Sequence, residues 1–152
     1  MRMAELLERE HINYDLDVHP QAFTAMELAR VEHVSSHQVI KPVIIEADGR
    51  LMMCALPADH RLEIAEVKEA LGAREVRLLS ESELPRVCAD CELGAEPPVG
   101  SLYGLQTLMD ESIRQEDSVL FQAGTHHSCI RMQERDFELV SQPKVARISR
   151  PA

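Results

Sequence analysis

The segment HVSSHQVIKPVIIEADGRLMMCALP, residues 33–57, contains two apolar runs on either side of Asp48 and Gly49. Both runs are rich in aliphatic and β-branched residues, and an Asp-Gly pair is favoured in the tight primed turns of hairpins. The segment therefore predicts a β-hairpin, with strands over residues 38–47 and 50–56.

A lysine interrupts the first of these strands. Counting by twos places Lys41 on the same face as Val43 and Ile45, where apolar core residues are expected. A desolvated ammonium can hold an anion or an oxyanion, which makes Lys41 the first candidate for a functional site. The alternative is a lysine at a strand edge whose stem packs while its charge reaches water, and the adjacent Pro42 favours this alternative.

The chain has 152 residues, of which 45% are hydrophobic and 28% are charged, as in a soluble globular protein. This length predicts one domain over residues 1–152. The apolar stretches are too short for a membrane span, and the charged start does not resemble a signal sequence, so we expect a cytoplasmic protein without a membrane partner. Four cysteines give no disulfide framework, and we expect reduced thiols.

The net charge of −10 argues against a protein that grips a long polyanion, and no DNA partner is expected. The sequence has no Gly-x-Ser-x-Gly, Walker loop, dinucleotide fingerprint or His-Glu-x-x-His. Most familiar catalytic classes are thereby excluded, and no cofactor is expected.

Helices and strands alternate on both sides of the hairpin. A capping box at Thr24 and Glu27 predicts a helix start, and Asp59 is expected to cap a helix over residues 61–71 that Gly72 ends. Further helices are expected over residues 1–10, from Ser80 or Ser82, and over 134–140, and further strands over 12–19, 75–79, 103–110, 118–124 and 129–132. Because hairpin-linked strands outnumber βαβ units, the pattern predicts an α+β fold with a mixed, largely antiparallel sheet.

The segment GAEPPVG, residues 94–100, is the second candidate for a functional site. Gly94 and Gly100 would let the backbone approach a ligand, and exposed N–H groups of such a loop can cradle an oxyanion or a phosphate. The alternative is a rigid connecting turn, stiffened by Pro97 and Pro98.

Two further motifs carry polar side chains. In AGTHHSCI, one of His126 and His127 is expected to line a pocket and the other to be exposed. Cys88 and Cys91 form a single Cys-x-x-Cys without a second such pair, so no metal site is expected.

Taken in order, these motifs resemble the YbaK/prolyl-tRNA synthetase-associated domain family. The resemblance extends from YDLDVHP through TAMELA, QVIKPVII, LMMCALPAD, GAEPPVG, LMDESI and QAGTHHSCI to ERDFEL. Lys41 falls where the family has its functional lysine, residues 94–98 match its Gly-x-x-x-Pro loop, and Asp110 with Glu111 matches its acidic pair. Pro42 differs from the family pattern, which has a small polar residue after the lysine. The resemblance implies a curved mixed sheet with surrounding helices.

The resemblance also implies a trans-editing deacylase that hydrolyses misacylated tRNA carrying a small amino acid. In the family, a free ribose hydroxyl of the terminal adenosine assists the attack of water. Lys41 would hold the terminal phosphate or polarise the ester, and N–H groups at Gly94 and Gly100 would orient the carbonyl. The expected substrate-binding residues are Val39, Met53, Pro98, Asp110 and one of His126 or His127. The expected partners are the acceptor end of aminoacyl-tRNA and an aminoacyl-tRNA synthetase.

Two other interpretations stay open. Because Pro42 follows Lys41, the chain could be a catalytically silent binding or regulatory module on the same fold. The third interpretation is an unrelated metal or small-molecule protein.

Overall fold

The computed structural model describes residues 2–152. The helices are α1 (Met3–Arg9), α2 (Ala25–Val31), α3 (Ile64–Leu71) and α4 (Glu134–Ser141). The strands are β1 (Asp15–Val18), β2 (Ile40–Ala47), β3 (Arg50–Pro57), β4 (His60–Leu62), β5 (Val76–Leu78), β6 (Gln106–Asp110), β7 (Ser118–Gln122), β8 (Ser128–Gln133), β9 (Lys144–Ala146) and β10 (Ser149–Pro151). Short 3₁₀ turns cover Leu84–Arg86, Gly100–Tyr103 and Glu111–Gln115. No helix within residues 2–152 combines the length and the apolar character that a membrane crossing needs.

The predicted hairpin is confirmed as the pair β2 and β3. The two strands pair antiparallel from Ile40 opposite Pro57 to Ala47 opposite Arg50. Both turn residues have positive φ, 49° at Asp48 and 84° at Gly49, as a primed turn requires. The hairpin is therefore fixed locally by its turn chemistry.

The strands form three sheets. The largest has the order β5-β2-β3-β6-β9, in which β6 pairs parallel with both β3 and β9 and the other pairs are antiparallel. A three-stranded antiparallel sheet has the order β1-β8-β7, and β4 pairs antiparallel with β10. This arrangement, with helices around mixed sheets, confirms the predicted α+β class.

The two faces of the β2–β3 pair contact different parts of the chain. On one face, Ile45 and Leu56 pack with residues that include Val67 of α3 and Ile148. On the opposite face, Ile40 packs in a cluster with Val99. Since side chains alternate along a strand, each residue of β2 belongs to one face only.

Several helix boundaries agree with the sequence analysis. Thr24 accepts a hydrogen bond from the Glu27 amide over 3.1 Å, and the Glu27 carboxylate accepts one from the Phe23 amide over 3.2 Å, so the capping box is confirmed. Gly72 ends α3 with a φ of 64°.

Other boundaries were wrong. Asp59 does not cap α3, which begins at Ile64, because the preceding residues His60–Leu62 pair as β4 with the distant strand β10. The helix expected from Ser80 or Ser82 is only a 3₁₀ turn at Leu84–Arg86. The strand expected over residues 103–110 begins at Gln106, after the 3₁₀ turn at Gly100–Tyr103.

Candidate functional site

Lys41 is half-buried on β2, opposite Leu56 of β3. Its ammonium donates to the carbonyl oxygens of Ala58, over 3.2 Å, and of His60, over 2.6 Å. An ammonium has three N–H donors, so these two bonds leave one donor for another acceptor. Burial lowers the pKa of Lys41, and the nearby negative charge of Asp59 partly offsets that effect.

Acidic and imidazole groups lie around Asp59, whose charge acts on this ammonium. The Asp59 Oδ2 atom accepts from the Ser36 hydroxyl over 3.2 Å and lies 4.0 Å from His37 Nδ1. The other oxygen, Oδ1, lies 4.0 Å from His60 Nε2 and is buried without a hydrogen-bond partner among residues 2–152. We call Lys41, Ser36, His37, Asp59, His60 and Glu116 the Lys41 cluster, in which Glu116 Oε1 lies 3.8 Å from His37 Nε2.

The other members of the Lys41 cluster were not among the site residues expected from the sequence. Asp59, which the sequence predicts as a helix cap, follows the strand that pairs with the strand of Lys41. In an antiparallel hairpin, the residues after Pro57 must return beside the start of β2. The hairpin register alone therefore could have placed Asp59 and His60 near Lys41.

The GAEPPVG loop uses its two glycine amides internally. Gly94 donates to the Glu96 carboxylate over 3.0 Å, and Gly100 donates to the Thr107 hydroxyl over 2.8 Å. The carbonyl-orienting role expected of both glycines does not fit this structure, because neither N–H is free. A Cβ on Gly100 would lie 2.6 Å from the carbonyl oxygen of Leu105. Close packing therefore explains why this position holds a glycine.

The loop and Lys41 lie on opposite faces of the β2–β3 pair. Val99 of the loop packs with Ile40, the residue before Lys41, and alternation turns consecutive side chains to opposite faces. Pro98 is buried within the loop. The structure therefore does not bring the two sequence motifs together on one surface.

Three expected substrate-binding residues are internal to the fold. Val39 and Met53 have no exposed surface and pack in apolar clusters, so the prediction that they line a pocket is corrected. Asp110 is 1% exposed. Its Oδ1 atom accepts from the amides of Ile148 and Ser149, each over 2.9 Å, and its Oδ2 atom accepts from the Ser112 amide and hydroxyl. The Asp110 carboxylate thus organises the chain before β10 and has a structural role here.

The two adjacent histidines differ in exposure. His127 is exposed, whereas His126 is buried, with Nδ1 at 3.1 Å from the Ala22 carbonyl oxygen and Nε2 at 2.9 Å from that of Leu93. The Phe23 ring packs against His126 with centroids 5.2 Å apart. His126 thus connects the segment before α2 to the segment before the GAEPPVG loop.

Comparison with known proteins places the chain in a family. A sequence model of the aminoacyl-tRNA editing domain matches residues 19–139. The proline–tRNA ligase of Halalkalibacterium halodurans is 30% identical over 109 residues, which are 72% of this chain and 18% of that protein. The enzyme of the same name from Bacillus subtilis is 29% identical over 114 residues, 71% of this chain and 19% of that protein. The chain thus spans about a fifth of the length of these relatives.

Solved structures share the fold. A hypothetical protein superposes with a TM-score of 0.90 at 22% identity, covering 99% of this chain and 100% of that one. A protein proposed to be a trans-editing enzyme for prolyl tRNA synthetase superposes with a TM-score of 0.85 at 20% identity, covering 98% of this chain and 95% of that one. The match over residues 19–139 confirms the resemblance seen in the sequence, and the chain belongs to the aminoacyl-tRNA editing domain family.

Proposed function

We propose that residues 1–152 act as one trans-editing domain that hydrolyses the ester of misacylated tRNA carrying a small amino acid. Membership of the editing domain family supports this proposal. The names of the relatives and of one structural neighbour associate similar chains with prolyl-tRNA synthetase. The preference for a small side chain rests on the family resemblance.

The single observation that carries the proposal is the environment of Lys41. Its ammonium is held by two carbonyl oxygens, is partly desolvated, and keeps one donor uncommitted. A fixed, partly buried cation stabilises developing negative charge more strongly than a solvated one does, and it needs no reorganisation during the reaction. Lys41 is therefore suited to polarise an ester carbonyl or to hold a terminal phosphate.

Hydrolysis of the ester requires few further groups from the protein. An aminoacyl ester is already activated, so hydrolysis requires a positioned water and a group that stabilises the oxyanion. In our proposal a ribose hydroxyl of the tRNA assists the attacking water, as the family resemblance implies. Because the Gly94 and Gly100 amides are occupied, stabilisation of the oxyanion is assigned to Lys41.

Asp59 keeps Lys41 in its charged form in this mechanism. Its negative charge raises the pKa of Lys41 against the effect of burial. An ammonium, unlike a neutral amine, can offset the charge of an oxyanion or a phosphate. Asp59 is thus a positioning residue of the proposed site, whereas Lys41 would contact the substrate.

The proposed partner is the acceptor end of aminoacyl-tRNA, delivered by a synthetase. A net charge of −10 is unfavourable for a long RNA footprint. Binding of an acceptor-end mimic should therefore weaken only slightly as salt rises, with a slope that corresponds to about one to three phosphate contacts. A slope for six or more contacts would contradict this mode of binding.

A second candidate function is a catalytically silent binding module, and Pro42 is the observation that favours it. Pro42 has neither an amide N–H nor a polar side chain beside Lys41. Incubation of the protein with a panel of aminoacyl-tRNAs, followed by measurement of ester loss, distinguishes the two functions. We expect cleavage of at least one misacylated tRNA with a small amino acid. Ester loss at the spontaneous rate for every member of the panel would favour the silent module.

A further inference from the structure

The Cys-x-x-Cys segment meets a buried carboxylate in the fold. Cys88 is buried, Cys91 is half-buried, and Glu96 is only 4% exposed. The two Sγ atoms and one carboxylate oxygen all lie within 4.8 Å of one another. All three residues line the same cavity of about 80 Å³, whose other walls include Leu84 and Leu93.

Glu96 is a buried acid that forms no close ion pair, although the neighbouring His126 acts on it electrostatically. None of the ion pairs among residues 2–152 includes it. Its Oε2 atom accepts from the Gly94 amide over 3.0 Å. A buried carboxylate is unfavourable unless a positive charge lies near it, and His126 forms no ion pair with Glu96 within 4.0 Å. A cation in the cavity would stabilise the ionised form.

The two thiols add to the negative charge that this cavity can hold. The Cys91 Sγ–H donates to the Cys88 carbonyl oxygen over 3.5 Å, and the Cys91 sulfur lies 3.7 Å from the Tyr103 hydroxyl oxygen. The exposed Asp90 lies between the two cysteines in sequence and adds a further negative charge. A bound divalent cation would be held by thiolates at both cysteines, because the thiolate is the form of cysteine that binds metals.

We propose that Cys88, Cys91 and Glu96 bind a zinc-type divalent cation, with water as a fourth ligand. Thiolate sulfur and carboxylate oxygen are both zinc ligands, and thiolates disfavour the hard cations Mg²⁺ and Ca²⁺. The cavity provides space for the water. The Gly94 amide holds one oxygen of Glu96 and so orients the carboxylate, as outer hydrogen bonds do in metal sites.

The proposal reverses the expectation that no metal binds. That expectation rested on the absence of a second Cys-x-x-Cys, and a glutamate five residues after Cys91 gives no signal of burial in the sequence. The site lies on the face of Ile44 and Met53, opposite Lys41, and takes no part in the proposed deacylation. Between residues 80 and 99 the only regular element is a 3₁₀ turn at Leu84–Arg86, so the ion would fasten an irregular segment to the sheet.

Titration of the full chain with Co²⁺ and Zn²⁺ tests the site without measuring deacylation. The reduced protein, freed of metal with a chelator, should bind one Co²⁺ with a thiolate-to-cobalt charge-transfer band, which Zn²⁺ removes by displacement. Zinc should also raise the melting temperature, because it binds the folded state. A wild-type protein with no charge-transfer band would overturn the proposal.

Three variants and a matched control assign the ligands. Cys88→Ser and Cys91→Ser should each abolish the band, and Glu96→Gln should weaken zinc binding by roughly 10- to 100-fold or more. Glu92→Gln, an exposed carboxylate in the same segment, should bind as the wild type does. Wild-type affinity in Glu96→Gln, or an intact band in either cysteine variant, would contradict the ligand set.

A measurement on the wild-type chain keeps the test decisive if a serine variant fails to fold. Zinc should slow the alkylation of Cys91 by iodoacetamide, because a metal-bound thiolate is a poorer nucleophile. Equal alkylation rates with and without zinc would overturn the proposal.

Discussion

The Lys41 ammonium donates to the His60 carbonyl oxygen over 2.6 Å. This bond joins the first strand of the hairpin to the residues that leave the second strand, where Asp59 also lies. It fixes the ammonium in a partly desolvated position that a flexible surface lysine would not hold. The hairpin thus positions the charge on which the proposed function depends.

Replacing Asp59 with asparagine should lower the pKa of Lys41 further. Burial lowers the pKa of Lys41, and the negative charge of Asp59 raises it. Without that charge, only the lowering effect of burial remains. The chain has three lysines, and NMR titration of ¹⁵N-labelled side chains can follow Lys41 with Lys68 and Lys144 as internal controls. An unchanged Lys41 titration in Asp59→Asn would mean that Asp59 does not act on the ammonium.

Asp110→Asn should destabilise the fold without weakening substrate affinity in the protein that remains folded. The carboxylate accepts hydrogen bonds from Ile148, Ser149 and Ser112, and an amide cannot accept all of them. We expect a loss of roughly 2 to 4 kcal/mol in the free energy of unfolding, measured by urea denaturation. Wild-type stability combined with lost binding of an acceptor-end mimic would instead restore the substrate-binding role first expected of Asp110.

Gly100→Ala should destabilise the protein through a steric clash. The new Cβ would lie 2.6 Å from the Leu105 carbonyl oxygen and 2.8 Å from the Thr107 hydroxyl. We expect a loss of about 3 kcal/mol in the free energy of unfolding, at the upper end for overpacking. Gly49→Ala is the control, because its Cβ meets nothing within 4 Å and its cost of roughly 1 kcal/mol arises only from the positive φ. A smaller loss at Gly100 than at Gly49 would show that the loop can move away.

Glu134 should make the fold less stable as the pH rises towards neutrality. Burial, reinforced by Glu138, raises the pKa of its carboxyl from 4.5 to about 7. The folded state therefore binds this proton more tightly than the unfolded state does. The resulting stabilisation is fully present below about pH 4.5 and is lost as the pH rises through about 7.

The Glu134→Gln variant isolates this effect. Between pH 5 and pH 8 the wild type should lose on the order of 2 kcal/mol more unfolding free energy than Glu134→Gln does. The exposed Glu111→Gln serves as the control and should follow the wild type. Parallel pH profiles for the wild type and Glu134→Gln would contradict the assignment.

The parts of the fold that the sequence predicted are those that neighbouring residues determine. The Asp48-Gly49 turn, the capping box at Thr24 and the end of α3 at Gly72 each depend on a few adjacent residues. The start of α3 was wrong because β4 pairs with β10, and the His60 and Ser149 side chains, in contact over 2.8 Å, are 89 residues apart in sequence. Long-range pairing of this kind leaves no signal in the local pattern.

The candidate site was only partly predictable for the same reason. The position of Lys41 on a strand was visible from alternation, whereas the burial of Met53 and Val39 depends on clusters formed by the whole fold. Motif spacing also cannot show that an amide is already occupied, as at Gly94 and Gly100. The residue types indicated which side chains and amides could bind a substrate. The tertiary contacts determine which of those groups are free to do so.

Deacylation by the Lys41→Ala variant tests the central claim most directly. The substrate is the misacylated tRNA that the wild type cleaves fastest, and Lys68→Ala, which lies on α3, is the matched control. We predict a decrease in the rate of about 100-fold or more for Lys41→Ala, with a melting temperature close to that of the wild type, because the lysine acts through its charge. Wild-type turnover by a folded Lys41→Ala protein would contradict the account.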